Sequence, residues 1–155
     1  MEIAEMFIQA GTLQKKQPLP QIVFDAVKKI QADVDKPFRW FVTGSFAYRG
    51  YTIDAKSDID IVVSCAYETD EPTLDEKGDV VYPPAYFDLD GQKINIISKP
   101  DRFDFNLWRK ATESMIIMWP LCDAVRNDRD VRVKFFKAIV TSTNYVHTTE
   151  MESRP

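Results

Sequence analysis

The run "SDIDIVVS", Ser57 to Ser64, constrains this chain more than any other stretch. Its β-branched residues favour a strand, and a strand points alternate side chains to opposite faces. Asp58 and Asp60 therefore share one face, while Ile59 and Ile61 share the other. Carboxylates set among apolar neighbours are costly unless something holds their charge. The run is either a strand with an incidental polar face or a holder of cations.

The elements around it alternate helix and strand. After Pro20, Val23, Val27, Ile30 and Val34 recur at helical spacing, and Asp35-Lys36-Pro37 ends that helix. "FRWFVTG" reads as a strand closed by a glycine. Ser64 to Pro84 is acidic and proline-bearing, a long loop with at most a short strand at Val80-Val81. "AYFDLDGQKINIIS" reads as a hairpin turning at Asp90-Gly91. A helix is expected from Asp104, its cap, to Met118, and a last one from Asp128 to Thr141. Residues 1–145 make a single domain on this reading, with 146–155 a polar, frayed tail. The opening segment, ending in "KKQPLP", is mixed and broken by prolines. The fold class is α/β (α+β): a small mixed sheet flanked by helices.

A chain of 155 residues is long enough to bury its own core. No apolar run approaches a membrane span, and the start lacks the order of a signal peptide, so a cytoplasmic address and no membrane partner are expected. The net charge of -4 argues against binding nucleic acid through bulk electrostatics. Cys65 and Cys122 lie in apolar surroundings without C-x-x-C spacing and read as reduced core thiols. A single histidine, His147, leaves little support for a zinc site or a Ser-His-Asp triad. Trp108, Trp119, Phe135 and Phe136 read as core.

Gly44-Ser45 precedes the aspartate strand by a short polar loop, "GSFAYRGYTIDAKSDIDIVV". A Gly-Ser turn offers backbone N–H groups and a hydroxyl to a phosphate, and paired carboxylates suit hard cations. The loop holds Arg49 and Lys56, either able to add a charge-assisted contact. Tyr48 and Tyr51 are the nearest rings on which a base could stack.

This arrangement resembles the signature of the DNA polymerase β-like nucleotidyltransferases, and the minimal nucleotidyltransferases most of all. Their motif commonly runs Gly-Ser-x-Ala-Arg-Gly before Ser-Asp-Ile-Asp; here Tyr48 stands as an extra residue between Ala47 and Arg49. The resemblance implies the nucleotidyltransferase fold and transfer of a nucleoside monophosphate from a nucleoside triphosphate to a hydroxyl of an RNA or protein acceptor. It implies Mg²⁺ or Mn²⁺ held by Asp58 and Asp60, with nucleotide contacts from Gly44, Ser45, Arg49 and Lys56. Active members carry a third carboxylate on a neighbouring strand. Here that strand reads "KINIIS", and its polar residue between isoleucines is Asn95. Asp88 or Asp90 could supply the acid if "YFDLD" is the closer strand; otherwise Asn95 fills the place without charge. "KINIIS…FDFNLWRKAT" also resembles short nucleotidyltransferase-like proteins of bacteriophages that have asparagine there. That likeness implies the host cytoplasm and a protein that binds nucleotide, RNA or a protein partner with little or no transfer.

Overall fold

The computed structural model of the chain describes residues 19–54, 57–67, 73–74, 76, 78 and 80–152. Helix α1 (Gln21–Asp33) leads into β1 (Trp40–Thr43), a short helix α2 (Gly44–Tyr48) and β2 (Ile59–Val63). Two short strands follow, β3 (Thr73–Leu74) and β4 (Val80–Val81), which pair with each other. Then come β5 (Ala85–Leu89), β6 (Gln92–Ser98), α3 (Arg102–Met118), a 3₁₀ turn (Trp119–Leu121), α4 (Asp123–Asn127) and α5 (Arg129–Glu152). The main sheet has the order β1-β2-β6-β5, antiparallel at both edges and parallel between β2 and β6. It is a mixed sheet with helices, as the alternation of sequence patterns implied.

Each face of the sheet follows from the two-residue period. On the first face, Trp40, Val42, Ile59, Ile61, Val63, Ile94 and Ile96 are buried in one core with Val23, Ala26, Val27 and Ile30 of α1. Full burial of each such side chain is worth about 1.5–3 kcal/mol, so this face carries most of the fold. Asp33 at the end of α1 accepts a hydrogen bond from the Tyr67 hydroxyl at 2.6 Å, tying the helix to the segment that leaves β2. Cys65 is buried and Cys122 half-buried against the same core, both as free thiols.

The second face is only partly covered. Phe41 and Val62 pack under Phe105 of α3, with Ile97 and Trp108 at the margin. The Phe41 and Phe105 rings meet edge to face at 5.1 Å. Two residues further along β1, buried Thr43 shares a hydroxyl–hydroxyl hydrogen bond of 2.8 Å with Thr112 of α3. Beyond those contacts, along β2, β6 and β5, the face turns polar.

Three boundaries differ from the sequence reading. Asp101, not Asp104, caps α3: its Oδ1 accepts from the backbone N–H of Phe103 at 2.8 Å and of Asp104 at 3.0 Å. Asp104 sits instead in the first turn, where its charge suits the helix dipole. A separate short helix, α4, precedes the last one, and Asp128 caps α5 through bonds to the N–H groups of Asp130 and Val131. The last helix runs to Glu152 instead of stopping at Thr141, and no glycine or proline interrupts it. The "KKQPLP" prediction falls largely outside the described residues. The hairpin turn is as expected, with Asp90 at φ 52° and Gly91 at φ 81°, the pair of positive values that a two-residue turn of this hand requires.

Candidate functional site

Register brings the polar residues together. Asp60 on β2 pairs with Thr43 on β1 and with Asn95 on β6, and Asn95 pairs in turn with Tyr86 on β5. Paired residues point to the same face, so Thr43, Asp60, Asn95 and Tyr86 form one row across the sheet. One step toward the start of β2 lies a second row. There Lys93 pairs with Asp88, and its ammonium stands 3.9 Å from Asp58 Oδ2. The ammonium also lies 4.4 Å from the centre of the Tyr86 ring.

Asn95 holds the carboxylates. Its side-chain NH₂ donates to Asp60 Oδ1 at 2.8 Å and to Asp58 Oδ2 at 3.2 Å. Its own carbonyl oxygen, Oδ1, is buried without a hydrogen-bond partner among the described residues. The neighbouring-strand position is thus filled by an amide. Asp88 shares the face but sits exposed on the edge strand, with the whole of β6 between it and β2. Two strand spacings, about 9–10 Å, separate the two backbones. Asp90 is in the turn, outside both rows.

Gly44 explains the spacing between the Gly-Ser pair and the aspartates. Its φ is +76°, a conformation that other residues adopt only with strain. A β-carbon there would collide with Asp60 Oδ2. The bare backbone lets the carboxylate lie against the start of α2. Burial pushes the Asp60 carboxyl up to about 6; the Asp58 charge adds to that, while the Asn95 bond and Lys93 oppose it.

Ser45 meets a residue the sequence reading missed. Arg132 of α5 donates from Nη1 to Ser45 Oγ at 3.1 Å. The same guanidinium is fixed by bonds to the carbonyls of Val125 and Arg126 and lies 5.0 Å from the Trp119 ring centre. No local pattern announces it, because 87 positions separate the two residues. Lys93 was more accessible to foresight: alternation in "QKINIIS" puts it on the face of Asn95.

Arg49 braces its own loop, donating to Ser57 Oγ and to the Thr52 carbonyl, both at 3.3 Å. Lys56 lies outside the described residues. Tyr48 and Tyr51 are buried and do not present a stacking surface. The Tyr48 ring packs on Trp119 at 5.8 Å and the Tyr51 ring on Phe46 at 5.9 Å. Burial raises the pKa of both, that of Tyr51 to about 12. Trp108 contacts Phe136 edge to face at 4.9 Å; Phe135 and Phe136 pack against the main core, as expected of core aromatics.

Among the described residues, no group of three or more His, Cys, Asp and Glu side chains is arranged to hold a metal ion. The donors that do converge are the two carboxylates, with one orphaned amide oxygen on the residue that bridges them. All are hard oxygen donors, the type Mg²⁺ and Mn²⁺ take, so the residues fit such an ion. No helix among the described residues is long and apolar enough to cross a membrane. No protein-family model, curated protein or solved structure matches this chain.

Proposed function

We propose that the chain is a metal-dependent nucleotidyltransferase, moving a nucleoside monophosphate from a nucleoside triphosphate to a hydroxyl of an RNA or protein acceptor. One observation carries the reading: Gly44 is bare where the Asp60 carboxylate lies, so the Gly-Ser pair and the Asp-x-Asp strand form one site. Mg²⁺ or Mn²⁺, bound through Asp58 and Asp60, would supply positive charge against the triphosphate oxygens. Ser45 accepts its bond from Arg132, which leaves the hydroxyl proton free to donate to a phosphate oxygen. Arg132, anchored by two carbonyls, adds a fixed positive charge beside that hydroxyl. Arg49 keeps the connecting loop in shape and so positions Ser57 and the start of the aspartate strand.

A second reading has its own observation. Asn95 occupies the place beside Asp60 where an active site of this kind would carry its third carboxylate. An amide does not accept the proton of an attacking hydroxyl. On this reading the same site binds nucleotide, RNA or a protein partner with little or no turnover. Incubation with each labelled nucleoside triphosphate, Mg²⁺ and a mixture of RNA and protein separates the two. A labelled acceptor that disappears in Asp58→Asn/Asp60→Asn supports transfer. Nucleotide binding without any labelled product supports the second reading, and label that survives the double substitution removes Asp58 and Asp60 from the chemistry.

A further inference from the structure

We infer that the Asn95 amide is a two-position element set by the cation: NH₂ faces the carboxylates without a divalent ion, and Oδ1 faces them as a third oxygen ligand with one. The inference rests on the proposal that Asp58 and Asp60 bind such an ion.

Three features of this chain support it. First, the present orientation is held from one side only. Both bonds of Asn95 Nδ2 go to Asp58 and Asp60, and among the described residues no donor meets the buried Oδ1. Second, the amide is planar, with nitrogen and oxygen at similar reach from Cγ. A half turn about Cβ–Cγ exchanges them, and that torsion is broad and roughly two-fold in asparagine. The backbone need not move, and the parallel register with β2 keeps the side chain opposite Asp60 in either state. Third, the preference reverses sign with the occupant. Two carboxylates with nothing between them attract the positive end of the amide dipole. A divalent cation between them attracts its oxygen and repels its N–H groups.

This also gives a reason for an amide at this position. A third carboxylate would hold a cation more tightly, but three acids on one half-buried patch would repel one another whenever the cation left. Asparagine gives up affinity and gains a stable cation-free state. The expected behaviour is a site that fills and empties with the cation–nucleotide, not one that keeps the ion permanently.

The test is a Mg²⁺ titration of the full chain labelled with ¹⁵N. The Asn95 side-chain NH₂ pair is identified by its disappearance in Asn95→Asp. Its two protons should start hydrogen-bonded and protected from exchange, then shift and lose protection as Mg²⁺ binds. In parallel calorimetry, Asn95→Asp should bind Mg²⁺ at least about tenfold more tightly, since affinity for hard cations follows ligand charge. Its cation-free melting temperature should fall. Asn95→Leu, with neither donor nor acceptor, should bind about tenfold more weakly than the wild type. If Mg²⁺ binds and is lost in Asp58→Asn/Asp60→Asn, yet the NH₂ pair does not respond, the two-position element is wrong and the cation site stands. Should Asn95→Leu fail to fold, the NH₂ response and Asn95→Asp decide. No binding of Mg²⁺ to the wild type overturns both the element and the site.

Discussion

One face of the sheet carries two unlike regions, joined along β2. Near Phe41 and Val62 the face is dry, closed by Phe105 and edged by Trp108. Two residues away along β2, Asp60 lies in a polar row with Asn95 and Tyr86, and Tyr86 is 52% exposed. Strand geometry does not distinguish them, because Asp58, Asp60 and Val62 alternate with the same period. What differs is cover: α3 packs over one region and reaches only the Thr43 end of the other. The apolar region supplies rigidity, and the polar region, joined to it along β2, inherits fixed positions for its carboxylates.

The largest effect is expected in the dry region. Phe105→Ala removes a fully buried ring and is expected to cost about 3–5 kcal/mol of stability. Chemical denaturation measures that loss. If the two regions are distinct, the folded fraction should still bind Mg²⁺ with wild-type affinity.

Gly44→Ala attacks the junction. Its positive φ and the collision with Asp60 act together, so the expected loss is about 2–4 kcal/mol. Unlike Phe105→Ala, this change should also weaken cation binding, because Asp60 must move. A Gly44→Ala protein with unchanged stability and affinity would mean that the close approach does not matter.

Asp60 itself works against folding. Its carboxyl titrates near 6 in the fold against an ordinary value of 3.8, so the folded chain holds the proton more tightly than the unfolded one. The sign follows: the stabilisation is complete below pH 3.8 and is lost as pH rises through about 6. The whole change is up to about 3 kcal/mol. Denaturation of the cation-free protein at several pH values should show this slope. Asp60→Asn should remove the slope and be more stable than the wild type at pH 7. The smallest effect belongs to Lys93, a half-exposed partner of Asp58. Lys93→Met should change stability by less than about 1 kcal/mol, yet move the Asp60 titration further upward, because Lys93 lowers it.

Much of this was legible beforehand, for physical reasons. Alternation told which face Asp58 and Asp60 share, and the Asp90-Gly91 pair told where the hairpin turns. Alternation does not tell which strand lies next to which. That is why Asp88 and Asn95 stood as rivals in the sequence, until the parallel pairing of β2 with β6 put Asn95 beside Asp60. Arg132 was invisible because its contact with Ser45 depends on how α5 packs, not on any spacing within α5. Tyr48 and Tyr51 look exposed in a polar loop, but α2 turns Tyr48 inward against Trp119, and the chain just after it folds Tyr51 back onto Phe46. The cap of α3 is Asp101 and not the expected Asp104, because the free N–H groups of Phe103 and Asp104 turn back to Asp101 Oδ1.

The most direct test of the account is a thermal-shift titration with Mg²⁺ and each of the four nucleoside triphosphates, on the wild type and on Asp58→Asn/Asp60→Asn. At least one Mg²⁺–nucleotide should raise the wild-type melting temperature, neither component alone should give the full shift, and the double substitution should abolish it. An equal shift in the double variant, or none in the wild type with any of the four, would contradict a cation–nucleotide site at Asp58 and Asp60.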